Sequence, residues 1–446
     1  MIDNSLSIII LAAGKGTRMK STLPKVLHKV AGREMINLVI DSAKQLKPKN
    51  ITIVVSEDVL EFKDRIINEH PSIKINFIVQ QEKLGTGHAV KIALEKIKKD
   101  IAQKCLILYG DTPLLSSKNI QNIADKLSDS QLCIAAFNCF ENNMYGRLVV
   151  DKQQNLLKIV EFKDANFQEK QITLCNSGIL GVAGTNIFDL VSQIKNNNNS
   201  KEYYLTDIVG IAKSQNLKIG YNIIDEQEVL GVNSKFELSK VEAIKQKQLR
   251  QKMMDSGVTI IDPNSVFFSF DTKIGQDCII YPQVFFGNGV EIGNNVEIKS
   301  FCHLENTKIG HNSAIGPYAR IRPQVDIGNN CKIGNFVEIK KSQIADNVKI
   351  NHLSYVGDCE IGENSNIGAG TITCNYDGVN KYKTKIGKNS FIGSNCALIA
   401  PVTIADNCLI GAGSTINKNV EDGDLAIARS KQVNIKNGTK KLAKVK

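Results

Sequence analysis

The chain has 446 residues, 42% hydrophobic and 23% charged, which allows two or three globular domains and excludes a largely disordered chain. Its formal net charge of +11 could serve nucleic acid, but no dense Lys/Arg run precedes the extreme C-terminus and Trp is absent. A base-stacking surface is therefore not expected, no nucleic-acid partner is assigned, and small anionic substrates suit the charge equally well.

No run approaches the ~18 apolar residues of a membrane helix. The apolar run Ile8–Ala13 is too short for a signal segment, so a cytoplasmic chain is expected. Residues 5–230 alternate short apolar runs with helical patterns, the α/β signature of a mostly parallel sheet. Ser7–Ala12, Ile51–Val55, Ile75–Val79, Cys105–Tyr109 and Leu132–Phe137 read as strands; Met35–Gln45, Glu57–Glu69, His88–Lys98 and Ser117–Lys126 read as helices. Ligands of such sheets bind beyond the carboxyl ends of the strands.

The first strand runs into Leu11-Ala12-Ala13-Gly14-Lys15-Gly16-Thr17-Arg18-Met19, followed by Leu23-Pro24-Lys25. Two glycines let backbone amides approach phosphate oxygens, and Lys15, Arg18 and Lys25 supply positive charge. The loop is neither a Walker A motif nor GxGxxG, and taken alone it could be a plain strand-to-helix turn. After the third strand, Gln80 to Ala89 forms a polar loop opening a helix. After the fourth comes Tyr109-Gly110-Asp111, where a carboxylate suits Mg²⁺, a helix cap being the alternative. Tyr145-Gly146-Arg147, Val160-Glu161-Phe162-Lys163-Asp164, Asn176-Ser177-Gly178-Ile179 and Glu228-Val229-Leu230-Gly231-Val232-Asn233 each read as polar loops. Asn196–Asn199 is a low-complexity turn with no assigned role.

In this order and spacing the motifs resemble the sugar-1-phosphate nucleotidyltransferases. The match is to their bifunctional branch, the N-acetylglucosamine-1-phosphate uridyltransferase/glucosamine-1-phosphate acetyltransferases, from about residue 5 to residue 430. The resemblance implies an α/β, Rossmann-like nucleotidyltransferase domain at residues 1–232. It implies that Leu11, Ala12, Ala13, Gly14, Arg18 and Lys25 meet the UTP, and that Gln80, Gly85 and Thr86 read the uracil. Tyr109, Gly110, Gly146, Glu161, Asn176 and Asn233 would surround sugar and ribose, and Asp111 and Asn233 would hold Mg²⁺.

Ser234–Ser256 reads as one amphipathic helix ended by Gly257, a connector over residues 233–256. From Ile274 to Ile416 an aliphatic residue returns every six positions, as in Ile309, Ile315, Ile321, Ile327, Ile333 and Ile339. A period of six is neither helix nor ordinary strand; it is that of a hexapeptide β-helix. Small residues follow four positions later, many of them Cys, and Gly often follows the aliphatic directly, expected to ease the corners. The buried thiols suit a reducing compartment. The period slips to five at Ile339–Ile344 and Val356–Ile361, and a long insertion separates Ile367 from Ile386. An insertion in a solenoid projects from one face. His352 sits beside these breaks and, on position alone, could equally be a surface histidine; Arg322 and Lys340 could be solvated charges.

For this domain the resemblance implies a left-handed parallel β-helix of hexapeptide repeats over residues 257–446, with acetyl-CoA as co-substrate. His352 would be the catalytic base. Arg322, Lys340, Tyr355 and Asn366 would bind glucosamine-1-phosphate, and Ala369, Asn375, Tyr376, Ser394, Ala412 and Arg429 acetyl-CoA. A homotrimer is also implied. The Lys-rich tail from about residue 430, ending at Lys440–Lys446, is expected to be disordered. Two other readings remain. One is a monofunctional nucleotidyltransferase whose β-helix is only structural, which would need no His352. The other is a non-catalytic regulatory subunit, which should have lost Arg18, Lys25 or Asp111.

Overall fold

The protein is seen in a computed structural model that describes residues 3–98, 100–140, 144–184, 186–198 and 200–439. It divides into two compact units, Met1–Lys245 and Gln246–Lys446.

The first unit carries strands β1 (Asp3–Ala12), β2 (Lys29–Val30), β3 (Arg33–Glu34), β4 (Pro48–Val55), β5 (Ile75–Val79), β6 (Lys104–Tyr109), β7 (Leu132–Asn138), β8 (Arg147–Val150), β9 (Leu156–Val160), β10 (Leu174–Ala183) and β11 (Ile219–Ile223). Its helices are α1 (Met35–Lys44), α2 (Glu57–Leu60), α3 (Lys63–Glu69), α4 (Thr86–Ile97), α5 (Ser117–Lys126), α6 (Phe167–Lys170), α7 (Asn186–Ser192) and α8 (Ile208–Ser214). The main sheet runs β11-β7-β10-β6-β1-β4-β5, with β8 attached to β10 and β9 to β8. Alternation along β1 explains its central place. Ile8 and Ile10 pack into the cluster that includes α1 and α5, and Ile9 and Leu11 into the one that includes α4, α7 and α8.

Two segments depart from the sequence reading. The expected helix 57–69 is two helices, α2 and α3. The segment Asn176–Ile179 is part of a strand, not a loop: β10 runs antiparallel to β6 and β7, which makes the sheet mixed. Its pairing with β7 shifts between Asn176 and Leu180, and Gly178 takes φ +85° there. A strand interrupted by a bulge loses its period-two signal and reads as loop.

The connector is a helix, α9 (Lys235–Asp255), and the division between the two units falls inside it. It is not amphipathic in the expected way. Val241, Leu249 and Met253 are buried, but Phe236 is 68% exposed. Gln246 is buried because its amide bonds both backbone groups of Phe268, donating to the carbonyl at 2.7 Å and accepting from the N–H at 2.8 Å. Gly257, at φ +95°, closes the helix.

The second unit is three parallel sheets. One has ten short strands, from Thr259–Ile260 to Leu425–Ala426; two have eight, from Lys273–Ile274 to Val402–Ile404 and from Phe285–Phe286 to Thr415–Ile416. Each strand pairs with the one three strands later, except at the two ends, where Thr259–Ile260 pairs with Ile279–Ile280 and Leu409–Ile410 with Leu425–Ala426. The six-residue ladder thus becomes a column: Ile280, Ile298, Ile315, Ile333, Ile350, Ile367, Ile392 and Ile410 lie in register inside the coil. Apart from Gly316, at φ +92°, the glycines directly after the aliphatics do not ease corners as expected. At Gly334 a Cβ would lie 1.9 Å from the Asn351 carbonyl oxygen, so glycine is required because the next coil passes too close for a side chain. The left-handed corners are filled by other residues, among them Asn312, Asn330, Asn347, Asn364, Asn389 and Asn407. Their side chains bond up the stack, Asn364 to Asn389 at 3.1 Å and Asn389 to Asn407 at 3.2 Å.

The five-residue steps do not shift the stacking. The missing residue is taken out at corners where Lys341 and Asp358 adopt φ 47° and 49°. A third short step, Leu304 to Ile309, has Asn306 at its corner with φ 41°. The insertion is narrower than expected. Ile372–Cys374 is a regular strand paired with Ala397–Ile399, and the projecting part begins at Asn375. Residues 430–439 carry no strand and are almost all exposed; the expected disordered tail at Lys440–Lys446, like Asn199, lies outside the described residues.

A polar network is buried behind α1. His70 is 1% exposed, with Nε2 at 3.1 Å from Asn37 and Nδ1 at 3.3 Å from the Lys44 ammonium. Burial, with Lys44 and Arg33 adding and the Asp41 carboxylate opposing, pushes His70 down to about 4. Between pH 6.5 and 4 the unfolded chain then binds a proton that the folded one refuses. Stability should be full above pH 6.5 and fall by up to about 3 kcal/mol as pH drops through that window. Urea unfolding followed by hydrogen exchange in α1 and β4 should show this loss, and His70→Gln should remove most of the slope; an unchanged slope would contradict the assignment.

Candidate functional site

The carboxyl ends of β1, β5 and β6 open into a cavity of about 750 Å³. Its floor is the turn after β1. Gly16 takes φ 58°, and a Cβ there would stand 2.8 Å from Lys25 Cβ, so the loop closes directly over Lys25. Lys25 begins a single helical turn anchored by buried Val26 and Leu27. Leu11, Ala12, Ala13, Gly14, Lys25, Gln80, Gly85, Thr86, Tyr109, Asp111, Gly146, Glu161 and Asn176 all line the cavity. Arg18 is exposed and is not on the wall. Gly110 lies behind it, its N–H bonded to the Leu11 carbonyl at 2.9 Å. Asn233 reaches it through Lys25.

The electrostatic centre is the Lys25 ammonium. It is ion-paired with Asp111 and donates to Asn233 Oδ1 at 3.0 Å, with the Lys25 and Asp111 side chains only 11% and 17% exposed. A cation already lies between the two oxygens expected to hold Mg²⁺, which fits a hard, oxygen-seeking ion, with Lys25 free to turn towards phosphate. Asn233 is fixed from the far side. The Val232 N–H bonds the Asp111 carbonyl at 3.0 Å, and Glu237 Oε2 accepts from the Asn233 N–H at 2.7 Å and the Ser234 hydroxyl at 3.2 Å. The Glu237 N–H returns to Ser234 Oγ at 3.2 Å, so Ser234 caps α9 while the Glu237 carboxylate takes the N–H one residue before the cap. Tyr109 is driven to hold its proton, by burial first and then by the Asp111 and Glu161 carboxylates. A Cβ on Gly178 would lie 2.8 Å from the Tyr109 ring, so the bulge in β10 exists to seat that ring.

Sequence reasoning missed one wall. Glu202, Tyr204 and Thr206 line the cavity because their segment pairs with the loop before α4: Gly87 N–H to Tyr203 carbonyl at 2.8 Å and Tyr203 N–H to Leu84 carbonyl at 2.8 Å. Thr206 also bonds Glu161 at 3.0 Å. These partners are far apart in the chain and carry no shared motif, so no sequence signal could have joined them. Lys83, also on the wall, was passed over inside the loop string.

The second constellation lies on the β-helix. His352 is exposed, and its Nδ1 is 2.7 Å from Asn335 Oδ1, one coil earlier in register. An amide oxygen only accepts, so Nδ1 carries the proton and Nε2 presents a lone pair to solvent. Asn335 was not foreseen; its spacing of 17 residues from His352 is one short coil, the only signal available. Arg322 bonds Glu338 at 2.8 Å, and Glu338 pairs in register with Tyr355. Lys340 is accompanied by Lys381 from the insertion, whose ammonium, with some burial and with Arg322, holds Lys340 below the usual lysine range. Arg322 is paired with Glu338, and the Asp358 carboxylate acts against the shift of Lys340, so the two lysines are the crowded cations of this cluster; Lys381 is the member the sequence reading lacked. Asn366 sits half-buried on the first sheet, paired with Lys349.

The remaining expected residues form an edge. Asn395 N–H bonds the Ala369 carbonyl at 2.7 Å, Gly413 N–H the Ser394 carbonyl at 2.8 Å, and the Arg429 guanidinium the Ala412 carbonyl. Ala369, Ser394 and Ala412 thereby stack coil on coil. Asn375 is 6% exposed and tied to Asp358, whereas Tyr376 is 58% exposed. Among the described residues no group of three or more His, Cys, Asp or Glu side chains is arranged to hold a metal.

Comparison with known proteins fits both constellations. The MobA-like NTP transferase domain family matches residues 8–156, the GMPPB C-terminal domain family residues 311–378, and the bacterial transferase hexapeptide family residues 271–306 and 383–418. The chain is 44% identical over 442 residues to the bifunctional protein GlmU of Paramagnetospirillum magneticum, covering 98% of this chain and 96% of that protein. It is 46% identical over 434 residues to that of Zymomonas mobilis (96% and 95% covered) and 45% over 439 residues to that of Wolbachia pipientis (97% and 99%).

The cap behind Asn233 can be tested without substrate. Glu237→Ala should cost about 1 kcal/mol, the value of a lost helix cap, and speed hydrogen exchange around Asn233; Glu237→Gln should restore most of both. Exchange unchanged in Glu237→Ala would show that Asn233 is held by something else.

Proposed function

The chain belongs to the bifunctional GlmU family, an enzyme of UDP-N-acetylglucosamine synthesis, and from that premise we propose how its residues divide the two reactions. Residues 1–232 carry uridylyl transfer, 233–256 connect, and 257–446 carry acetyl transfer. The observation that carries the second activity, against a β-helix that is only scaffold, is the His352–Asn335 bond, which leaves Nε2 poised as a base.

In acetyl transfer the amine of glucosamine-1-phosphate attacks the thioester carbonyl of acetyl-CoA. The C–N bond forms and the C–S bond breaks. His352 Nε2 takes the amine proton, Nδ1–H stays on Asn335, and the proton passes to the departing thiolate. Arg322, Lys340 and Lys381 hold the sugar phosphate, with Tyr355 and Asn366 orienting the sugar. Ala369, Asn375, Tyr376, Ser394, Ala412 and Arg429 form the acetyl-CoA edge.

In uridylyl transfer a phosphate oxygen of N-acetylglucosamine-1-phosphate attacks the α-phosphorus of UTP, and pyrophosphate leaves. The nucleophile is already an anion, so the chain needs no base and works by alignment. Leu11 to Gly14 and Lys25 receive the triphosphate, joined by Arg18 if its exposed side chain swings in. Gln80, Gly85 and Thr86 receive the uracil; Tyr109, Gly110, Gly146, Glu161 and Asn176 receive the sugars. Asp111 and Asn233 would hold Mg²⁺, which neutralises phosphate charge when bound.

We also propose a cytoplasmic homotrimer. None of the eleven cysteines is joined to another in a disulfide, which suits a reducing compartment. His352, Tyr376, Ser394 and Ala412 are exposed on a single chain, which leaves acetyl-CoA an open edge for a neighbour to cover. Phe301, Tyr318 and Phe336 stack on the surface with centroids 4.7 and 5.1 Å apart, each about half exposed, an apolar stripe suited to subunit packing.

His352→Ala should lower thiol release by at least about a hundredfold and leave pyrophosphate release intact. Asp111→Ala should do the converse, by a similar factor. Separate assays of the two products on the full chain decide this; loss of both activities in either well-folded variant would sink the division of labour.

A further inference from the structure

Gln80 closes strand β5, its backbone N–H bonded to the Val55 carbonyl at 2.8 Å. Its side chain is on the cavity wall and only 6% exposed. Nε2 lies 3.2 Å from the Gly85 carbonyl oxygen and 3.2 Å from His88 Nδ1. A carboxamide nitrogen carries two hydrogens, and a backbone carbonyl can only accept. The nitrogen, not the oxygen, must therefore face Gly85. The second hydrogen goes to His88 Nδ1 when the imidazole carries its own proton on Nε2. Both donors are then consumed, and the bonding capacity left for a ligand is that of Oε1, an acceptor.

Both anchors are themselves fixed. Gly85 takes φ +103° with no room for a Cβ, which would stand 2.7 Å from the Tyr203 carbonyl oxygen, and its own carbonyl also receives the Ala89 N–H at 3.2 Å. His88 stands in the first turn of α4, whose Gly87 N–H is bonded to Tyr203 at 2.8 Å. Turning the Gln80 amide over would set its oxygen against the Gly85 carbonyl oxygen and, with the imidazole proton on Nε2, against the His88 Nδ1 lone pair.

We propose that His88 is a positioning residue that locks the Gln80 carboxamide with its oxygen towards the base and so sets the preference of this cavity for uracil over cytosine. The ring edges of the two bases differ in the group Oε1 would meet: uracil N3 carries a hydrogen, cytosine N3 a lone pair. The proposal rests on the uridylyl-transfer reading of the cavity. Without His88 only the Gly85 carbonyl still opposes the reversed orientation, which suits cytosine, so that orientation costs less.

The test uses the full chain with Mg²⁺ and N-acetylglucosamine-1-phosphate, and measures kcat/KM for UTP and for CTP. His88→Phe, which keeps the ring but loses the acceptor, should lower the UTP-to-CTP ratio about tenfold, with KM for the sugar phosphate unchanged. His88→Asn, whose Oδ1 can stand in for Nδ1, should keep the ratio within about threefold of the parent. A purely structural role would lower both nucleotides together and leave the ratio alone. An unchanged ratio in His88→Phe, or an equal fall in both variants, would overturn the proposal. The parent enzyme supplies a check independent of variant folding: 3-methyl-UTP, whose N3 hydrogen is replaced, should be used at least about tenfold less well than UTP. Equal use would overturn the proposal. A parent that releases pyrophosphate with neither UTP nor CTP would overturn the uridylyl reading, and the proposal with it.

Discussion

The tightest constraint in the protein is the approach of one coil of the β-helix to the next. At Gly334 and Gly362 a Cβ would stand 1.9 and 2.6 Å from backbone atoms of the following coil. Stacking that close admits one register, because a slip of a single residue would put every inner isoleucine outside. The position of each outward residue is then fixed by its place in the hexad. That is how Asn335 comes to stand over His352, and how Arg322, Glu338 and Tyr355 share a face without lying near one another in sequence. The irregular steps are absorbed at corners, so they add side chains to the face and leave the column undisturbed.

The first unit solves its problem differently. Its sheet is buried on both faces, and the chemistry is gathered where the strands end. Lys25, Asp111 and Asn233 come from three distant segments and meet at one ammonium. The Ser234–Glu237 pair at the start of α9 does two things at once: it caps the helix and holds the Asn233 backbone in place. Local helix chemistry is thereby used to fix a residue that bonds the Lys25 ammonium.

The period of six made the β-helix legible from sequence, because each coil repeats the same packing. The turn after β1 was legible because only glycine fits where Gly16 meets Lys25. What stayed hidden depended on pairing across the chain. The bulge in β10 erased the strand period at Asn176–Ile179. The wall formed by Glu202, Tyr204 and Thr206 rests on bonds from Tyr203 and Leu205 to Leu84, Thr86 and Gly87, more than a hundred residues earlier. Lys381 lies in an insertion whose length the sequence shows but whose direction it does not. Even the glycines of the hexads, easy to find, differ in role from the expectation, because the asparagines turn the corners and the glycines let the coils touch.

The central claim is that one chain holds two working sites, with the β-helix as enzyme and not merely scaffold. The most direct measurement is to supply the full chain with Mg²⁺, acetyl-CoA, glucosamine-1-phosphate and UTP and follow thiol and pyrophosphate release together. Thiol release should begin at once, with pyrophosphate following after a lag as N-acetylglucosamine-1-phosphate accumulates. Pyrophosphate formed from added N-acetylglucosamine-1-phosphate, with no thiol released from acetyl-CoA, would contradict the account.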